Sequence, residues 1–322
     1  MSMITTSPKI AVFCLMGVTA SGKTRLAIEL TKRMPVDIVS VDSGQVYRGL
    51  DIGTAKPSHE ELLIAPHRLI NICDPKESYS GGMFFRDAQR EIAYIHANQR
   101  IPMLVGGTMF YFHLLQQGFT KIPNIPSCYR KRINTDMLNK GLDIMHQKLK
   151  TVDPQAAARI HPHDTQRIQR ALEIFEGSGQ CLTSWQDSQH IPPPAYRIIN
   201  FILSPTDRNI AHDRITKRFD AMLTAGLVEE VSSLYERSDL STDMPSIRMV
   251  GYRQVWDYLA GKYDFTTMRE KAIFSTKRVT KRQLTWLRRF KDATWFDSES
   301  PDLLVQVLQW MSLELKNAGQ QI

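Results

Sequence analysis

Gly17-Val18-Thr19-Ala20-Ser21-Gly22-Lys23-Thr24 follows the pattern G-x-x-x-x-G-K-[ST] of a phosphate-binding loop. The apolar run at residues 10–16 precedes it as a strand and residues 25–34 follow as a helix, which is the setting the motif requires. Glycine lets successive backbone N–H groups turn into one concavity. The helix N-terminus adds partial positive charge there, and Lys23 adds a full one. Thr24 stands where its hydroxyl would meet a Mg²⁺ held by the same phosphates. An ordinary Gly-rich turn is the bland alternative, and the complete spacing with correct flanks weighs against it. The loop takes at least two linked phosphates, and ATP would satisfy it as well as any other diphosphate.

Outward from the loop, residues 36–41 read as a second strand ending on Asp42-Ser43, and residues 68–72 as a third. Ser80 is placed to cap a helix whose Phe84, Ala88, Ile92 and Ile95 recur at helical spacing. Residues 101–105 form an apolar run suited to a buried parallel strand, followed by Gly106-Gly107-Thr108 and a helix over 109–117. Strands alternating with helices predict an α/β fold with a parallel sheet covered on both faces. Ligands in such sheets bind beyond the carboxyl ends of the strands, which puts Asp42 on the same edge as the loop.

Between residues 118 and 195 strand-like runs vanish and prolines punctuate short helices, clearest at 127–139 and 164–175. This stretch reads as a helical insertion domain, with residues 1–117 and 196–322 as the core. Residues 197–203 return to strand character and 207–223 read as a helix, with Ala211, Ile215, Phe219 and Met222 inward. His161 and His163, in a His-Pro-His-Asp run, read as turn and cap chemistry. Trp185, Trp256 and Trp286 read as packing, in the core or on a binding face.

The chain has 322 residues, 42% of them hydrophobic and 23% charged, enough for one large domain or two modest ones. No run reaches the ~18 apolar residues of a membrane span, and residues 1–9 lack a signal-peptide core. Cys14, Cys73, Cys128 and Cys181 are scattered without a C-x-x-C, which argues against a disulfide framework or a zinc site. A cytoplasmic location is the expectation.

Charge is concentrated. Residues 266–291 hold nine bases against Glu270 alone, so this stretch carries the whole net charge of +8. A helix is expected over 265–290. At ~100° per residue its Lys277, Arg278, Lys281, Arg282, Arg288 and Arg289 fall within roughly 140° of arc. Val279, Leu284, Trp286, Leu287 and Phe290 occupy the remainder. A solvated surface helix mixes signs, whereas this one has almost no acid, which favours contact with nucleic acid.

A kinase or NTPase of this type commonly carries a second carboxylate at the end of an apolar strand. Here the strand at 101–105 ends in Gly-Gly-Thr, and Asp42 is the carboxylate that ends a neighbouring strand. Asp42 therefore either assists the metal or does proton chemistry; a turn former is its bland reading. Thr108 could likewise be only a helix cap.

The loop, together with Asp42-Ser43-x-Gln45-x-Tyr47-Arg48-Gly49-x-Asp51-Ile52-Gly53-Thr54-Ala55-Lys56, resembles the tRNA dimethylallyltransferase family. Further matches follow in family order: His67-Arg68-Leu69, Gly106-Gly107-Thr108-x-x-Tyr111, Gln166-Arg167-x-x-Arg170, Arg218-Phe219, Arg248-x-x-Gly251-Tyr252-Arg253 and Lys281-Arg282-Gln283-x-Thr285-Trp286-Leu287-Arg288. They cover about residues 10–297 and are far more specific together than the loop alone. The resemblance implies a P-loop kinase-like core with a helical insertion. It implies transfer of dimethylallyl from dimethylallyl diphosphate to N6 of adenosine 37, 3′ of the anticodon, in tRNAs reading codons that begin with U. A channel would admit the prenyl donor at one mouth and the extruded adenine at the other.

In that family the loop residues Gly17, Thr19, Ala20, Ser21, Gly22, Lys23 and Thr24 would grip the diphosphate, with Mg²⁺ on Thr24. Asp42 would act as base, with Thr108 and Arg218 stabilising the leaving group. Asp42, Ser43, Gly44 and Gln45 would meet the flipped base. Gln166, Arg167, Ile168, Gln169 and Arg170, then Arg248, Met249, Val250, Gly251, Tyr252 and Arg253, would hold phosphates and flanking nucleotides. So would Lys281, Arg282, Gln283, Leu284, Thr285, Trp286, Leu287 and Arg288, with Arg130 a weaker candidate. The tRNA anticodon stem-loop is the expected partner, with a monomeric protein and no membrane. Departures are Val18 for the usual proline, Asn71 for a common aspartate, and Gly81-Gly82-Met83 before Phe84. The cysteine spacing lacks the zinc finger of eukaryotic members. Competing readings are a relative acting on free adenine nucleotides, an ATP-dependent nucleotide kinase, and a non-catalytic RNA-binding module.

Overall fold

The computed structural model describes residues 10–318; the leader reading of residues 1–9 lies outside them. The chain begins β1 (Ala11–Gly17), α1 (Lys23–Thr31), β2 (Val36–Val41), α2 (His59–Ile64), β3 (His67–Arg68), α3 (Gly81–Ala97), β4 (Ile101–Gly106) and α4 (Met109–Gln117). Then come β5 (Phe119–Thr120), α5 (Ser127–Lys140), α6 (Leu142–Val152), α7 (Pro154–Arg159), α8 (Thr165–Ser178), α9 (Leu182–Ser188) and β6 (His190–Ile191). The last stretch holds β7 (Arg197–Ser204), α10 (Arg208–Thr224), α11 (Leu227–Tyr235), α12 (Tyr252–Leu259), α13 (Phe265–Leu287), β8 (Thr294–Asp297) and α14 (Leu303–Asn317).

Two compact units result. One comprises the chain up to Gln116 and from Pro194 onward, the other Gln117–Pro193. The first is built on a sheet ordered β3-β2-β4-β1-β7-β8, with every pair parallel. All seven residues of β1 are buried, as a parallel strand covered on both faces requires. On one face Phe13, Ile38, Met103 and Phe201 pack with Leu26 and Leu30 of α1 and Val307, Met311 and Leu315 of α14. Phe13 sits edge-on to Phe201 and Trp310, with ring centroids 6.4 and 6.0 Å away.

Register sets the site. Met16 and Val41 both pair with Gly106, so β1, β2 and β4 end at one edge. Residues at two of these ends must be glycine. A methyl on Gly106 would lie 2.0 Å from the Val41 carbonyl oxygen, and one on Gly17 would lie 2.3 Å from that of Leu203. The phosphate loop, Asp42 and Thr108 thereby leave the sheet side by side.

Several boundaries differ from expectation. The third strand covers only His67–Arg68, because Leu69 and Asn71 turn the chain away with positive φ (61° and 56°). Helix α1 opens at Lys23, with Gly22 as N-cap at φ 85°, so the motif lysine already belongs to the first turn. Helix α13 ends at Leu287, with Arg288 as C-cap. The stretch 118–195 is not free of strands, since Phe119 and Thr120 pair antiparallel with Ile191 and His190. Taken by itself, that second unit packs helices α5–α8 around Ile133, Met145, Leu149, Ile168 and Leu172. Gly81 is explained by packing, because a methyl there would lie 2.4 Å from Leu114 Cδ1.

Candidate active site

The loop after β1 places Lys23 with its ammonium donating to the Val18 carbonyl (2.6 Å) and to Ser21 Oγ (3.4 Å). Burial, and then the nearby Arg218, push the Lys23 ammonium down to about 7, with Asp42 pulling the other way. Burial also lowers Arg218, again opposed by Asp42. Two cations thus face each other across a space with one carboxylate. A bound polyanion would relieve both. The first turn of α1 adds N–H groups that have no intrahelical acceptor.

Asp42 follows the last residue of β2. Its Oδ1 accepts from the backbone N–H of Gly44 (2.8 Å) and Gln45 (3.3 Å), which fixes the carboxylate by a turn and leaves Oδ2 without a hydrogen bond among the described residues. The turn-former reading and the functional one are therefore compatible. Thr108 is held from behind by its N–H on the Val41 carbonyl (3.1 Å), and its Oγ1 accepts from Ser43 N–H (3.0 Å). Gln45 spans from Ser40 Oγ (2.9 Å) to the Ala55 carbonyl (3.3 Å).

Three cavities meet at these residues. A polar chamber of about 80 Å³ is lined by Thr19, Lys23, Thr24, Asp42 and Arg218 among others. A cavity of about 420 Å³ shares Thr19, Asp42 and Arg218 with it and adds Thr108 and apolar walls from Met109, Phe219, Val279 and Trp286. A wider opening of about 990 Å³ shares Lys23, Thr24 and Arg218 with the chamber. Arg218, on α10, lines all three. Among the described residues no group of three or more His, Cys, Asp or Glu could hold a metal alone.

The candidate RNA contacts divide. Arg248, Lys281, Arg282, Thr285 and Arg288 are exposed, and Met249, Val250, Arg282 and Trp286 line the 420 Å³ cavity with Gly44. Arg253 is half-buried and its charge is met by Asp257 (3.0 Å). Gln283 faces inward instead: its Oε1 accepts from Thr19 N–H (2.9 Å) and its Nε2 donates to the Gly107 carbonyl (2.9 Å), which braces the loop from α13. Leu287 and Tyr252 are fully buried and Leu284 half-buried, because these positions fall on the packed faces of their helices. The side chains of Leu284 and Leu287 therefore pack inward, while Tyr252, though buried, lines the 420 Å³ cavity.

In the helical unit, Gln166 and Arg167 are exposed and Gln169 and Arg170 half-buried, while Ile168 is core. Arg130 and Arg170 both bond to the buried Glu173 (3.3 and 3.0 Å), so their charges are partly met inside the protein. His161 Nδ1 accepts from His163 N–H (3.2 Å), a turn as read from the sequence. Trp185 donates to Ser178 Oγ and Trp256 is buried against Tyr235.

Sequence reasoning missed Gln283's bracing role and missed Glu230 altogether. Glu230 accepts from the N–H groups of Asp51 (2.9 Å), Ile52 (2.7 Å) and Gly53 (3.1 Å). Partners about 180 residues away leave no trace in periodicity or spacing.

Known proteins resemble this chain over most of its length. The family model described as IPP transferase matches residues 45–290, and that of isopentenyl transferase matches residues 10–78. A tRNA dimethylallyltransferase of Coxiella burnetii is 54% identical over 300 residues, covering 93% of this chain and 96% of that protein. One from Legionella pneumophila is 49% identical over 297 residues, covering 92% and 95%. The solved tRNA isopentenylpyrophosphate transferase of Bacillus halodurans superposes with a TM-score of 0.71 at 34% identity, over 97% of this chain and 98% of that one. A eukaryotic dimethylallyltransferase acting on tRNA gives 0.76 at 25% identity, over 97% and 81%. A loop, a carboxylate and a threonine converging at one sheet edge, in a chain matched over nine-tenths of its length, place this protein in the IPP transferase family, the tRNA dimethylallyltransferases.

Proposed function

We propose that this protein transfers the dimethylallyl group of dimethylallyl diphosphate to N6 of adenosine 37 in tRNAs reading codons that begin with U, and releases diphosphate. The observation that supports this most is the sharing of Arg218 by three adjoining cavities. The phosphate cradle sits on one side of it and a partly apolar, base-sized space on the other.

The chemistry balances over named groups. The N6 lone pair forms a bond to C1 of the dimethylallyl group as the C1–O bond breaks, and that electron pair goes to the diphosphate. The N6 amine is a weak nucleophile, because its lone pair is delocalised into the ring. Asp42 Oδ2 accepts the N6 proton as the bond forms, while Oδ1 stays held by the turn. Lys23, Arg218 and the Thr108 hydroxyl meet the charge that develops on the leaving oxygen. Met109, Phe219 and Val279 provide apolar walls that keep water from an allylic cation-like carbon.

The donor set fits Mg²⁺: a single hydroxyl, Thr24, and one nearby carboxylate beside a diphosphate site suit an ion that is bound largely through substrate phosphates. When bound, it would neutralise charge on the diphosphate. The exposed cations of α13, with Arg248, would hold RNA phosphates. A monomeric protein working in the cytoplasm is part of the same proposal; among the described residues no helix is long and apolar enough to cross a membrane. The test is incubation with labelled dimethylallyl diphosphate and unmodified tRNA, followed by nucleoside analysis with ATP in parallel. Label on N6-isopentenyladenosine is expected. Consumption of ATP without label transfer would favour a kinase.

A further inference from the structure

Glu230 lies in the first turn of α11, outside every motif that carries the family resemblance. Its carboxylate accepts four hydrogen bonds. Oε2 takes the N–H groups of Asp51 (2.9 Å) and Ile52 (2.7 Å). Oε1 takes Gly53 N–H (3.1 Å) and the Tyr252 hydroxyl (2.5 Å). Burial and the adjacent carboxylate push the Tyr252 phenol far up, so it stays protonated and donates.

The two segments joined in this way are adjoining parts of the wall of the 420 Å³ cavity. Gly44, Gly53 and Thr54 come from the chain after β2, and Met249, Gly251 and Tyr252 from the start of α12. They also touch where side chains are missing. A methyl on Gly53 would lie 2.5 Å from Tyr252 Cε2, and one on Gly44 would lie 2.9 Å from Met249 Sδ. The first segment is tied onward to the reacting carboxylate. Gln45 reaches from the Ala55 carbonyl, and its own N–H donates to Asp42 Oδ1. A carboxylate with four well-directed bonds holds such a seam far more rigidly than apolar contact alone.

We propose that Glu230 is a positioning residue for the acceptor base: by locking residues 51–53 to Tyr252 it fixes the shape of the cavity wall against which adenine is held before Asp42. This rests on the transferase reading. Glu230→Gln tests it, because an amide of the same shape turns a donor toward two of the four donors. The tRNA KM should rise at least tenfold and kcat should fall less than threefold. Affinity for inorganic diphosphate, which reports the cradle on β1 and α1, should stay within twofold. Tyr252→Phe removes one of the four bonds and should raise the tRNA KM about threefold, which keeps the test open if the first variant folds poorly. A tRNA KM within twofold of wild type in both variants would overturn the proposal, as would tRNA and diphosphate affinities falling together. If the wild-type protein itself transferred no dimethylallyl group, the transferase reading would fall first. An active wild type with unaffected variants would sink only the role of Glu230.

Discussion

Lys23 carries the sharpest consequence at the scale of a single residue. Burial pushes its ammonium down to about 7 against about 10.4 for a free lysine, so the unfolded chain binds more protons between those values. The Lys23 contribution therefore disfavours folding fully below pH 7, and the penalty fades as pH rises toward 10. A bound diphosphate reverses the shift. Titrating inorganic diphosphate at pH 8 in buffers of different ionisation enthalpy should show uptake of close to one proton by Lys23; no uptake would mean that the lysine does not pair with the phosphates. Thr108→Ala removes both a candidate donor to the leaving group and the acceptor for Ser43 N–H. Turnover should fall roughly 10²-fold with donor affinity within threefold. A loss confined to affinity would reassign Thr108 to ground-state binding.

Among the elements, α13 does two jobs. Its inward Gln283 braces the phosphate loop against the end of β4. Arg269 near its start pairs with Asp220 (2.6 Å), whereas the exposed Lys281 and Arg282 carry no ion pair among the described residues. Replacing Lys281 and Arg288 with alanine should weaken tRNA binding and flatten the slope of log K against log salt by about 1.5. An unchanged slope would mean that these exposed charges do not meet phosphate. Much of α13 was legible beforehand, since charge asymmetry and helical spacing are local signals. Its division was legible only in part. Helical spacing separates the apolar Leu284 and Leu287 from Lys281 and Arg288, but Gln283 is polar like a contact residue, and only tertiary packing identifies it as a brace. The parallel core was legible for a similar reason: β1, β2 and β4 are apolar runs, and Ser80 caps α3 as expected. Strand β8 and helix α14 went unread, because four residues at a sheet edge carry little pattern.

For the whole molecule, the position of the site depends on the sheet staying whole. Phe13 is fully buried where β1, β7 and α14 meet, and the phosphate loop hangs from the end of that strand. Phe13→Ala should destabilise the protein by roughly 3–5 kcal/mol, measured by denaturant unfolding; a loss below 1 kcal/mol would show that the core repacks freely. The sequence pointed to the loop and Asp42 because each ends a strand, and to Thr108 through the family resemblance. It could not find Glu230, whose partners come from a distant part of the chain.

The central claim is that Asp42 takes the N6 proton while the loop beside it holds the departing diphosphate. Single-turnover transfer by an Asp42→Asn variant, preloaded with tRNA and dimethylallyl diphosphate, tests it most directly. The account predicts a rate at least about 10²-fold below wild type, with both dissociation constants within about threefold. A rate within tenfold of wild type would contradict it.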